Sequence, residues 1–85
     1  MWNVTETKQV AKDLIRLPKQ VRLIYRALVE DLKREGPHPY GWDTRPLKGR
    51  PEVRIKLSRE YRVLVMVLAP DLIVVKVAHR KEAYE

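Results

Sequence analysis

The chain has no cysteine, which excludes a disulfide framework, thiolate metal ligands and a cysteine nucleophile. With 85 residues and no covalent staple, one domain must hold together by packing alone. No apolar run is long enough to cross a bilayer as a helix; the most apolar stretch is VLVMVLA, residues 63–69. The opening residues, MWNVTETKQ, lack a basic start followed by an apolar run, so no leader is expected. Repeats, low-complexity tracts, an HExxH motif, zinc-ligand spacing, a glycine-rich phosphate loop and a serine nucleophile elbow are all missing. These absences point to a cytoplasmic protein with no membrane partner, no metal and no cofactor.

What the chain does have is positive charge. Eighteen Lys/Arg against eleven Asp/Glu give a net charge of +7, which fits an acidic partner: nucleic acid, an acidic protein, or both.

Periodicity orders the elements. Residues 2–6 alternate as a strand. Thr7 is a suitable N-cap for a helix running to about Leu17, with Val10, Leu14 and Leu17 on one stripe. Pro18 opens a second helix carrying Val21, Ile24, Tyr25, Leu28 and Leu32, and Gly36-Pro37 stops it. Residues 37–51 have no period and contain four of the six prolines, so they read as a long loop. Strands follow over 52–57, 61–69 and 72–78. The order β-α-α-β-β-β predicts a single α+β domain over residues 1–85. A helical hairpin should pack on one face of a mostly antiparallel four-stranded sheet.

Strand parity then divides the side chains. Val53, Ile55 and Leu57 share one face, as do Tyr61, Val63, Val65 and Val67, and Ile73, Val75 and Val77. If these pack on the helices, the other face displays Arg54, Lys56, Arg62, Lys76 and Arg80 with no acid among those positions. Like charges opposite one another are destabilising, so such a face is better explained by a polyanionic ligand than by solvation. Lys48, Arg50 and Arg59 extend it. Arginine suits bidentate phosphate contact. His79 has core parity and reads as structural; His38 reads as an exposed loop residue. Trp2 reads as an anchor for the first strand, and Trp42 as either a core lid or a ligand contact. Tyr84 follows Arg80 by four residues, as a clamp on the sheet edge or as a site residue.

The ordered motifs LKG, RIKL, YR and HRKEAY between Leu47 and Tyr84 resemble the RelE branch of the RelE/ParE toxin superfamily. The N-terminal helices match in pattern only. The resemblance implies a toxin of a type II toxin–antitoxin system. Its activity would be a metal-independent, ribosome-dependent endoribonuclease that cuts mRNA in the A site, beside the 16S rRNA. Its inhibitor would be a cognate acidic antitoxin. Residue by residue, it implies a catalytic set of Arg54, Lys56, Arg62, Arg80 and Tyr84. Lys48, Arg50, Arg59 and Lys76 would contact RNA. Some relatives carry a lysine base where this chain has Arg54. Arginine does not give up its proton, which leaves Lys56 as the base or a purely electrostatic site. An ordinary lysine titrates at about 10.4, and bringing one to neutral pH takes roughly 3–5 kcal/mol. A cation about 4 Å away in a partly desolvated site supplies up to about 4 kcal/mol. A ParE-like gyrase inhibitor and a non-catalytic RNA-binding relative are the alternatives.

Overall fold

The computed structural model describes residues 1–82. Its element order is β1 (Asn3–Glu6), α1 (Lys8–Arg16), α2 (Lys19–Glu35), β2 (Thr44–Pro46), β3 (Glu52–Lys56), β4 (Tyr61–Leu68) and β5 (Asp71–His79). The sheet has five strands in the order β1-β5-β4-β3-β2. β1 pairs parallel with β5, and every other pair is antiparallel. The α+β fold with two helices on a mostly antiparallel sheet is as expected. The sheet has one strand more, because Thr44–Pro46 in the proline-rich segment pairs with β3.

Local chemistry sets the helix ends. The Thr7 hydroxyl accepts from the Val10 N–H at 3.4 Å and caps α1. Pro18 occupies the N-cap of α2 rather than its first turn. Gly36 ends α2 with φ at +89°, and its N–H donates to the Leu32 carbonyl. Trp2 lies over this end: its N–H donates to the Lys33 carbonyl at 3.0 Å, as an anchor should.

The core lies between the helices and one sheet face. Val10, Tyr25, Leu28 and Leu32 meet Val53, Ile55, Val63, Val65, Leu72, Val74 and Val77 there. Parity holds through β3 and β4 but not through β5. The register shifts between Leu64 and Val65, so Val65 faces Val74 while Leu64 faces Lys76. Val75 is thus the extra residue of a bulge. Before it, Leu72 and Val74 point inward instead of Ile73; after it, Val77 resumes the expected face. At the bulge β5 passes from β1 to α1. The Thr7 hydroxyl donates to the Val75 carbonyl at 3.1 Å, and the Val77 N–H donates to the Asp13 carboxylate at 3.0 Å.

One polar contact crosses from α2 to β1. The buried Tyr25 hydroxyl donates to the Glu6 carboxylate. Burial first, and the Glu6 hydrogen bond and charge second, push this phenol well above its ordinary range.

Candidate functional site

On the sheet face away from the helices, register assembles the cations. Arg45 in β2 is level with Arg54 in β3. Arg54 is level with Leu64 in β4, and Lys56 with Arg62. Arg45, Arg54, Lys56 and Arg62, together with Asp43, line a hollow of about 220 Å³, room enough for a phosphodiester group. Asp43 and Arg45 form an exposed ion pair at 3.4 Å, of a kind that contributes little. Four cations against one carboxylate leave the hollow strongly positive. It can therefore bind an anion and stabilise charge that develops on it.

Arg62 is held in place by the turn between β3 and β4. Its Nη1 donates to the carbonyls of Ser58 at 2.8 Å, Tyr61 at 3.1 Å and Arg59 at 3.3 Å. All three bonds use one nitrogen, so Nε and Nη2 are the atoms with which Arg62 can reach a phosphate. Such a clamp restricts a side chain that is otherwise costly to order. Lys56 is exposed and Arg54 half-buried, so removal of water around Lys56 has to come from whatever binds over it.

The expected acid-free face needs correction. Position 52 has the same parity as 54 and 56, and Glu52 is buried there at 8% exposure. Arg50 closes on it, donating from Nε and Nη2 to its two carboxylate oxygens at 2.8 and 3.0 Å. Asp43 brings a second acid to the rim. Glu52 is the first residue of β3, and Asp43 reaches the rim only because the adjoining residues 44–46 pair with β3, which local periodicity does not show.

The remaining residues expected at the site are spread around it. Lys48 is exposed on the turn closed by the Arg50 N–H to Leu47 carbonyl bond. Arg59 is exposed on the turn beside Lys56. Lys76 keeps the expected face but is separated from Arg54 by Leu64, and its Nζ donates to the Glu82 carbonyl at 3.1 Å. Arg80 lies one residue past β5, exposed, with its N–H donating to the Glu60 carbonyl at 2.6 Å. Neither lines the hollow. Tyr84 lies outside the described residues. His79 has the structural part expected of it. Its Nδ1 accepts from the Lys81 N–H at 3.2 Å, and its ring meets Tyr61 edge-on at 5.7 Å. His38 is exposed and its Nδ1 lies 3.0 Å from the Thr44 hydroxyl. Arg45 lines the hollow without having been expected there. A strand of three residues is too short to show a period.

Among the described residues no cluster of three or more His, Asp or Glu side chains is placed to hold a metal ion. No helix among them is long and apolar enough to cross a membrane.

The chain as a whole is similar to known proteins in sequence and in fold. The chain is 34% identical over 87 residues to the Methanocaldococcus jannaschii protein named "Putative toxin RelE1", covering 99% of this chain and 96% of that protein. The chain belongs to the RelE toxin family. It is a toxin of the RelBE type. No family model matches it. Among solved structures, the RelE-like fold is shared with the RelB-RelE antitoxin-toxin complex from Methanococcus jannaschii. The TM-score is 0.83 at 25% identity, with 94% of each chain covered. The archaeal RelE-RelB complex from Pyrococcus horikoshii OT3 gives a TM-score of 0.82 at 26% identity, covering 95% of this chain and 97% of that one. The intact RelBE toxin-antitoxin complex from E. coli, at 20% identity and a TM-score of 0.74, shares the fold.

Proposed function

We propose that this RelE toxin is an endoribonuclease that cuts mRNA in the ribosomal A site, and that a cognate acidic antitoxin restrains it. The observation that carries the reading is the hollow formed by Arg45, Arg54, Lys56 and Arg62 across three adjacent strands. In this reading the ribose 2′-OH attacks the adjacent phosphorus. Its proton passes to a base, the P–O5′ bond breaks, and a 2′,3′-cyclic phosphate forms with a 5′-hydroxyl end. The cations stabilise the charge that builds on the non-bridging oxygens. Lys56 is the one basic residue lining the hollow that can serve as that base, and only as its neutral amine, since arginine does not give up its proton. Water protonates the leaving 5′-oxygen; Arg80, which lies outside the hollow, and Tyr84 are assigned to the leaving group and the nucleophile by the family resemblance alone. Lys48, Arg50, Arg59 and Lys76 contact the RNA backbone around the hollow. Support for the antitoxin comes from the two archaeal neighbours, both solved with RelB, and from the +7 charge that an acidic partner would neutralise.

Single-turnover cleavage on programmed ribosomes tests this. Arg54→Ala and Arg62→Ala should each slow cleavage on the order of 10²–10³-fold, the usual loss for one charge-stabilising donor. Lys56→Ala, compared with Arg80→Ala, separates base from electrostatics: an unchanged rate removes Lys56 from the mechanism. Wild-type protein that leaves A-site mRNA intact while inhibiting gyrase would overturn the reading.

A further inference from the structure

Beside the phosphate-sized hollow lies a second, wider one of about 640 Å³. Asp43 and Lys56 line both, so they form the ridge between them. The far side of the ridge differs in chemistry. Its walls include Gly41, Trp42 and Arg59, an aromatic ring and one guanidinium in place of a cluster of four cations.

The ring is fixed rather than loose. The half-buried Trp42 donates from Nε1 to the Asp31 carboxylate at 2.8 Å, and its N–H donates to the Pro39 carbonyl at 3.3 Å. The next residue is tied to the sheet: the Lys56 N–H donates to the Asp43 carbonyl at 3.0 Å. The two hollows therefore keep a constant relation across the ridge. A rigid indole presents a stacking surface at little entropic cost.

We infer that the Trp42–Arg59 hollow is a nucleobase subsite, receiving the base of the nucleotide next to the phosphate bound by Arg54, Lys56 and Arg62. This rests on the reading of the basic hollow as an RNA phosphate site. A base has two faces, one to stack on Trp42 and one that the Arg59 guanidinium can cover. Its phosphate, one sugar away, then falls on the cationic side of the ridge. Stacking of this kind tolerates any base, so the subsite serves to register the strand rather than to read its sequence.

The test is the affinity of the wild-type protein for short 2′-O-methyl RNA oligomers, which cannot be cut. One abasic residue is moved along the oligomer position by position. The expected result is a loss of about 5- to 150-fold at one position and little at the others. Trp42→Leu should bind the intact oligomer as weakly as the wild type binds the sensitive abasic one. If circular dichroism shows that Trp42→Leu does not fold, Arg59→Ala, at an exposed position, must weaken the same base dependence. Uniform affinity for all abasic oligomers, or full base dependence in both variants, overturns the inference. Cleavage of A-site mRNA without base dependence overturns the subsite alone. Base-dependent binding without cleavage upholds the subsite and removes the nuclease.

Discussion

Lys56 of β3 and Arg62 of β4 are direct cross-strand partners on the sheet face away from the helices. Like charges at this position oppose folding by up to about 1 kcal/mol. Lys56→Ala should therefore raise stability by a few tenths to about 1 kcal/mol in urea denaturation at low salt, while impairing RNA binding. The gain should shrink at high salt as screening takes over. A loss of stability instead would mean that the stem of Lys56 contributes more by packing than its charge costs.

The Arg50–Glu52 pair leads to a different expectation for a cation of the same neighbourhood. Glu52 is buried and Arg50 half exposed, with side-chain exposures of 9% and 54%. Arg50→Ala leaves a buried carboxylate without its guanidinium and should cost about 1–2 kcal/mol, less than a fully buried pair because solvent screens the arginine. Arg50→Ala with Glu52→Met should recover most of that loss, measured by a double-mutant cycle. An Arg50→Ala variant of normal stability but weakened RNA affinity would instead make Arg50 chiefly an RNA contact.

Tyr25 links the fold to alkaline pH. Its phenol is raised above the ordinary value of 10.0, so the folded state holds this proton more tightly than the unfolded one. Its contribution is fully present below pH 10 and is lost as pH rises above it, at up to about 1.4 kcal/mol per pH unit. Unfolding free energies between pH 9 and pH 11.5 should fall more steeply for the wild type than for Tyr25→Phe. Parallel curves would show that the phenol does not ionise with unfolding.

Gly36 is constrained twice. Its φ of +89° disfavours any side chain, and a Cβ there would lie 2.7 Å from Nε1 of the Trp2 indole. Gly36→Ala should lower stability by roughly 1–3 kcal/mol and shift the Trp2 environment, seen by thermal melting and tryptophan emission. Unaltered melting would mean that Trp2 can move aside without loss.

Apart from β2 and the exact place of Pro18, the element order, the helix ends and most of the core were legible in the sequence, since apolar spacing and turn residues act locally. Arg54, Lys56 and Arg62 were placed on one face correctly because β3 and β4 pair without interruption. What escaped depends on pairing between distant segments. Arg45 joins the hollow only because three residues of a proline-rich stretch find β3. The Val75 bulge, invisible in the apolar run of residues 72–75, exchanges Ile73 for Val74 in the core. The separation of Lys76 and Arg80 from the hollow follows from register and from the end of β5, neither of which composition encodes.

The sheet's margins have a consequence for the protein before it meets any partner. β1 offers four residues along one margin, and β2 only three, ending in proline, along the other. Where β5 would be uncovered past β1, Thr7 and Asp13 occupy its backbone groups. A second copy thus finds little backbone to which it could add a strand. The apolar β4 and β5 lie inside the sheet, between margins that offer an added strand only three or four residues to pair with.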